Sequence, residues 1–264
     1  AQVATNLDAS TKYEYRLLQN DTNSEPEEFT TEDDIQLPNS GFEDWYTDSD
    51  GLPKPAKDAS SSFWDCGNVN YFGKHIMTTQ NDETALGQGS SVKMETQETM
   101  KIIAAGNIFT GTFERDGMGG ILTLGRNFEC RPNKLKGYYK YTSAKVSVSK
   151  GHLNEGEDDL CSLYIALTDE QITVNTNKGI YFDPNSSAVI AYGSISDEES
   201  KGADSFKEFT VDLEYKDLKR IPKYIIVVAS SSKYGDYMEG GKGSTMWLDD
   251  LELVYPKSME EVRK

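Results

Sequence analysis

The sequence predicts an all-β protein, an antiparallel two-sheet sandwich of jelly-roll type, and three observations carry that expectation. The 264 residues include 15 Tyr, 10 Phe and 22 Gly, a strand- and turn-forming composition without a long Ala/Leu/Glu/Lys stretch of helical period. Short apolar runs bounded by turn residues recur along the chain. Strand and helix patterns do not alternate, which disfavours a parallel α/β sheet. Many short strands that must cover both faces and protect their edges favour two packed sheets. The length suits one large β domain with a small extra piece.

The extra piece comes first. In residues 1–36 two strand-like runs, Thr5–Leu18 and Glu28–Thr31, flank a polar turn at Gln19–Pro26, which predicts a hairpin. Two strands alone are marginal in water, so the hairpin either packs on the main domain or is a fragment of a larger one. Thr31–Pro38, with Glu32, Asp33, Asp34 and Pro38, has the composition of a linker. The main domain is expected over 37–256 and a tail over 257–264. Its strand candidates are Ser91–Glu95, Gly120–Leu124, Lys136–Thr142, Cys161–Thr168, Ala188–Ser194, Phe206–Tyr215, Tyr224–Ala229 and Thr245–Tyr255. Long loops are expected at Thr47–Ser62 and Lys150–Asp159.

The last strand makes the sharpest claim. Period-two alternation over Thr245–Tyr255 places Thr245, Trp247, Asp249, Leu251, Leu253 and Tyr255 on one face. Asp249 then shares an apolar face, where a carboxylate costs several kcal/mol unless paired or bound to a cation. A structural calcium ion suits it, since calcium takes about six to eight oxygen ligands; the alternative is an Asp that bonds a turn at the strand end. In a closed jelly roll the first and last strands lie side by side, so Glu43 is expected to reach the same ion; alternatively Glu43 is an exposed strand-end acid.

Charge and motifs exclude much else. With 44 acidic and 27 basic residues the net charge is −17, which repels nucleic acid and anionic membranes and also promotes solubility. Cys66, Cys130 and Cys161 are too few for a disulfide framework and lack metal-ligand spacing. At most one disulfide can form among them. His75 and His152 have no HExxH-type spacing, so neither a zinc site nor a Ser/His/Asp triad is expected. Neither Gly117–Gly120 nor Gly240–Ser244 has the pattern of a phosphate loop. Asn20-Asp-Thr and Asn185-Ser-Ser match the glycosylation sequon without further support. No apolar run of about 18 residues suggests a transmembrane segment, and no signal peptide is evident.

Three resemblances add to this reading. The Tyr-x-Tyr-Arg run at Tyr13–Arg16 followed by Phe29-Thr-Thr resembles the closing hairpin of an immunoglobulin or fibronectin type III domain. Gly41-Phe-Glu-Asp-Trp near the start, with Trp247-Leu-Asp-Asp-Leu-Glu-Leu at the end, resembles the calcium-bearing β-sandwich carbohydrate-binding modules of galactose-binding type. Phe63-Trp-Asp-Cys-Gly-Asn, Gly106-Asn-Ile-Phe-Thr-Gly, Arg131-Pro-Asn-Lys-Leu-Lys-Gly-Tyr-Tyr-Lys-Tyr, Ser230-Ser-Ser-Lys-Tyr-Gly-Asp-Tyr and Gly243–Tyr255 resemble the putative carbohydrate metabolism domain family of Gram-negative gut bacteria. That resemblance implies a jelly roll, often after an immunoglobulin-like domain, in a secreted or lipid-anchored protein, extracellular or periplasmic at the cell surface, that handles glycans.

Sugars are held by aromatic faces together with acids and amides that bond hydroxyls. Three clusters have that character: Trp64, Asp65, Asn68, Asn70 and Tyr71; Arg131, Tyr138, Tyr139 and Tyr141; and Tyr234, Asp236 and Tyr237. The expected glycan-binding residues are Trp64, Asn68, Tyr71, Arg131, Tyr139 and Tyr237 in a monomer. In Gly137–Tyr141, alternation puts Tyr139 and Tyr141 on one face and Tyr138 with Lys140 on the other, without deciding which is core. A glycoside hydrolase is the competing expectation. It needs two carboxyls about 5 to 9.5 Å apart, with Asp65, Asp169, Asp236 and Glu239 as candidates, none marked by a motif. A surface adhesin or assembly component is the third.

Overall fold

A computed structural model describes residues 7–19 and 22–255. The expected tail at 257–264 and the sequon at Asn20 lie outside the described residues. In the N-terminal hairpin Lys12–Tyr15 pairs antiparallel with Glu27–Thr30. The segment after it is clamped to the main domain. Gln36 bonds both the N–H and the C=O of Leu253, at 2.7 and 2.8 Å, and Tyr255 Oη donates to Ile35 O at 2.5 Å.

The main domain is a sandwich of two antiparallel sheets. Its principal strands are β1 (Thr78–Asn81), β2 (Ser91–Glu95), β3 (Asn107–Asp116), β4 (Gly119–Leu124), β5 (Lys134–Thr142), β6 (Ser162–Thr168), β7 (Ile172–Asn175), β8 (Val189–Ser194), β9 (Ala203–Asp212), β10 (Glu214–Tyr215), β11 (Tyr224–Ser230) and β12 (Thr245–Val254). The front sheet has the order β1-β2-β12-β5-β9 and the back sheet β7-β4-β3-β11-β6-β8-β10. Trp64–Asp65 adds to β3 and Arg126–Asn127 to β11. The non-sequential orders are those of a jelly roll, as composition and strand spacing predict.

Alternation along each strand builds the core between the sheets. Val92, Met94, Leu135, Tyr139, Met246 and Leu248 point in from the front; Ile108, Leu163, Ile165, Ile225 and Val227 meet them from the back. Tyr139 and Tyr141 are therefore the core-facing tyrosines of β5, while Tyr138 and Lys140 lie on the outer face.

The last strand departs from the expected alternation. Met246 and Leu248 are fully buried and Trp247 is half-buried on the other face. The β5 register slips by one residue between Lys136 and Tyr138, and Asp250 adopts φ +47. This bulge inserts one residue, so Leu251 and Leu253 return to the core although Trp247 does not share their face. Gly137 accommodates the bulge, since a Cβ there would lie 2.7 Å from Leu251 Cδ2 and 3.1 Å from Asp249 O. Asp249 is buried, but on the outer face, where its Oδ2 accepts from Ala85 N at 2.9 Å.

The back sheet is apolar on both faces. Phe109, Leu122, Leu124, Ala166, Val174, Val189 and Ile226 form a second cluster, separate from the sandwich core. Antiparallel sandwiches ordinarily turn polar residues outward. This outer face is the floor of the candidate site.

Candidate functional site

Two adjoining cavities open over that floor. One, of about 410 Å³, is walled by aromatic residues, Tyr164 and Tyr192 from the sheet and Tyr181, Phe182, Tyr234 and Tyr237 from loops. Tyr164 and Tyr192 project outward because their neighbours Leu163, Ile165 and Ala191 point to the core. Phe182 stacks on Tyr164 at 4.9 Å and lies 6.2 Å from Tyr192. Tyr237 packs 3.9 Å from Tyr181 and 4.3 Å from the His152 ring, which stacks on Tyr234 at 4.4 Å. The other cavity, about 380 Å³, has apolar walls that include Phe113, Leu122 and Ile102. The two share Ser162, Tyr164, Lys233 and Asp236.

Asp236 sits at the junction, on the 3₁₀ turn Gly235–Tyr237. No hydrogen bond to its carboxyl is present among the described residues, and burial pushes it up to about 6. Burial and the nearby Asp236 also raise the Tyr164 phenol. An unpaired carboxyl among aromatic rings can accept hydroxyl or amine donors from a ligand while the rings cover its apolar faces.

The loop bearing Asp236 is held at two points. Asp159 Oδ2 accepts from Ser232 Oγ at 2.6 Å, Gly241 N at 2.8 Å and Ser244 Oγ at 2.8 Å. Glu239 is wholly buried and accepts from Leu153 N at 2.6 Å, Lys150 N at 2.8 Å and His152 N at 3.2 Å, and it bonds His152 Nδ1 at 2.9 Å. Burial opposes its charge, but these bonds outweigh it and hold the carboxyl below its ordinary range. Glu239 thus fixes the His152 loop and carries no free oxygen toward the cavity.

The other sequence candidates fall into separate places. Trp64 is core: its ring packs edge-on against Phe42 and Phe63, and Nε1 donates to Pro38 O at 2.7 Å, so no face is left for a sugar. Asn68 is also buried, its Oδ1 accepting from Met77 N and Thr78 N at 2.8 and 2.9 Å and its Nδ2 donating to Thr78 O at 2.7 Å. Tyr139 is buried against Phe209 and donates to Glu199 O at 2.9 Å. Arg131 pairs with Glu32 and fastens the linker. Tyr71 lies on the rim of the apolar cavity, with the Arg115 guanidinium 4.2 Å from its ring centre. Among the six, only Tyr71 and Tyr237 border a cavity.

Of the acid candidates, Asp65 pairs with Lys54 at 2.7 Å and accepts from Cys66 N and Phe113 N, each at 2.8 Å. Asp169 pairs with Arg220. Only Asp236 reaches the cavities. Asp197, the second acid on the aromatic cavity, has a 95% exposed side chain tied to Lys233 at 3.1 Å. Tyr164, Tyr181, Phe182 and Tyr192 were not among the sequence candidates. The signal for Tyr164 and Tyr192 lies in the runs Leu163–Leu167 and Ala188–Tyr192, where continuous apolar residues mark strands buried on both faces.

Glu43 and Asp249 lie near one another on the outer side of the front sheet. Glu43 is exposed and accepts from Ser90 N and Ser90 Oγ at 3.0 Å each. Burial, with Asp250 and Glu43 nearby, pushes the Asp249 carboxyl up to about 6. Asp250 Oδ1 and Glu43 Oε1 converge on Gly41, 3.3 and 3.6 Å from where its Cβ would lie. Glu43, Asp249 and Asp250 thus bring like charges together on this face. Among the described residues no group of three or more His, Cys, Asp or Glu is placed to hold a metal. Cys66, Cys130 and Cys161 are buried free thiols.

Solved structures resemble this chain in fold. A putative glycoside hydrolase from Bacteroides thetaiotaomicron is 23% identical with a TM-score of 0.65, over 94% of this chain and 80% of that one. A putative glycoside hydrolase from Bacteroides vulgatus is 24% identical with a TM-score of 0.55, over 67% of this chain and 77% of that one. The carbohydrate-binding module TmCBM61, solved with β-1,4-galactotriose, is similar at 9% identity and a TM-score of 0.38, over 83% of this chain and 97% of that one. No curated protein sequence matches. The profile of one family matches residues 32–254, which is most of the sequence, and the chain belongs to that family, described as a putative carbohydrate metabolism domain.

Proposed function

We propose that this protein is a non-catalytic glycan-binding module whose sugar site is the aromatic cavity around Asp236. The observation that carries this reading is the Asp236 carboxyl, which takes no hydrogen bond from the described residues and lies among Tyr164, Tyr181, Phe182, Tyr192 and Tyr237. Rings of this kind cover the C–H faces of a sugar and the carboxylate orders its hydroxyls. Glycoside hydrolysis needs a second carboxyl facing the first across the substrate. Among the described residues of the two cavities the other acid is Asp197, exposed and tied to Lys233.

A glycan array followed by product analysis tests the reading. Binding without turnover is expected, with Tyr237→Ala weakening any hit about tenfold. Release of new reducing ends from a bound glycan would instead place the chain with the hydrolases for which two of its structural relatives are named. Binding to no glycan would leave a surface adhesin or assembly role.

Two further elements belong to the proposal. A structural calcium ion, held by Glu43 and Asp249, supports the edge where the first and last segments of the domain meet; addition of a chelator then lowers the melting temperature, and an unchanged melting curve removes calcium from the account. Glycan capture also places the protein, as a monomer, outside the cytoplasm, either secreted or anchored at the cell surface. Fractionation of the native host checks the location. Among the described residues no helix is long and apolar enough to cross a membrane.

A further inference from the structure

We infer that the ligand of this site is amphiphilic, a glycan bearing an alkyl, acyl or aryl substituent, with the sugar in the aromatic cavity and the apolar group in the adjoining cavity. The inference rests on the glycan reading and extends it.

The apolar cavity is built at some cost to the fold. Its floor is the second apolar face of the back sheet, including Phe109 and Leu122, and its rim is formed by turn tips. At those tips Phe72 is 94% exposed, Met100 84% and Met118 57%. Phe72 and Met100 have φ of +52 and +51, where a bulky side chain is strained and glycine would be at ease. Large apolar side chains that are strained and left in water at the mouth of an apolar cavity gain nothing for folding. They gain contact when an apolar group enters.

Polarity is graded along the pair of cavities. The charged side chains lining the apolar cavity are Arg115, Lys233 and Asp236. Arg115 lies over Tyr71 and donates to Gly117 O at 3.0 Å, and Lys233 pairs with Asp197. Among the described residues Asp236 alone of the three has no partner, and it stands where the cavities meet. A ligand spanning both would place hydroxyls at Asp236, with an apolar group on one side and aromatic stacking on the other. A volume of about 380 Å³ is that of a small-molecule site.

The test uses methyl, butyl, hexyl and octyl β-D-glucosides and β-D-galactosides below their micellar concentrations, with the matching n-alcohols, in calorimetric titrations. Affinity should rise about fourfold per methylene until the cavity is filled, and glycosides should bind more tightly than alcohols of equal chain length. Met118→Asp and Met100→Asp, at exposed positions that leave the core intact, should flatten the chain-length dependence without weakening glycans found on the array. Glycan binding with no chain-length dependence overturns the amphiphilic ligand and keeps the glycan reading. Alcohols binding as tightly as their glycosides overturn it in favour of a lipid site. Dimerisation in sedimentation that Met118→Asp abolishes assigns the cavity to a second copy and also overturns it. Failure of both the glycosides and the array overturns the glycan reading itself.

Discussion

The outer faces of the two sheets are built from similar residues and differ in whether those residues are satisfied. On the front sheet Trp247 lies between Lys140 and Lys93, 4.4 and 5.8 Å from its ring centre, and Nε1 donates to Asn81 at 3.2 Å. Lys140 reaches Glu83 at 2.5 Å and Lys93 reaches Glu95 at 3.0 Å. Around Trp247 that face has a tryptophan, lysines and acids, the composition expected of a sugar site, yet these groups answer one another. On the back sheet Asp236 has no partner among the described residues. Composition marks both faces as candidates; the unsatisfied one has something to gain from a ligand.

The largest effect expected of a single substitution comes from neither face. Trp64→Ala empties a packed site between Phe42 and Phe63 and removes the hydrogen bond to Pro38, which should cost about 3–5 kcal/mol in chemical denaturation. If glycan affinity falls while stability is unchanged, Trp64 is a ligand contact and the division between core and site drawn here fails.

A smaller effect tests the buried carboxyl on the front sheet. The folded-state pKa of Asp249, about 6, lies above its ordinary value of 3.8, so the native state holds its proton more tightly than the unfolded chain does. The stability this group contributes is full below about pH 4 and is lost as pH rises through 6. In the presence of a chelator, Asp249→Asn, which keeps an acceptor for Ala85 N, should therefore stabilise at pH 7.5 by up to about 2 kcal/mol. The gain should fade toward pH 4 in melting curves. With calcium added the sign should reverse. Destabilisation of equal size at every pH, with or without calcium, would show that the charge of Asp249 is not what the fold resists.

Much of the fold could be read from the sequence, because β propensity and turn spacing act locally. Ser91–Glu95 and the cores of β6, β8, β11 and β12 fall where alternation or apolar runs place them. The ten-residue β3 does not, since Gly111 interrupts its pattern, and β1 consists of polar Thr-Thr-Gln-Asn. The site was less legible. Asp236 and Tyr237 stand out as an acid beside an aromatic in a Ser/Gly-rich loop, but Tyr164, Phe182 and Tyr192 meet only through pairing and loop folding. Trp64 and Tyr139 illustrate the converse, since residue type alone does not distinguish a stacking ring from a core ring. The bulge at Asp250 shows how one inserted residue reverses an alternation argument for every position on one side of it.

The smallest expected effect bears most directly on the contrast between the two faces. Trp247→Ala removes a half-buried ring, its cation–π contacts with two lysines and one hydrogen bond to Asn81. Exposed contacts of this kind contribute about 1 kcal/mol, and both lysines retain their carboxylate partners. Stability should drop by about that amount and glycan affinity should stay within about twofold of the parent, because Trp247 borders neither cavity. A tenfold loss of affinity here, with Tyr237→Ala silent, would move the sugar site to the front sheet. It would mean that a ligand can displace the lysines and acids that now satisfy one another, and that the unpaired carboxyl on the back sheet serves something else.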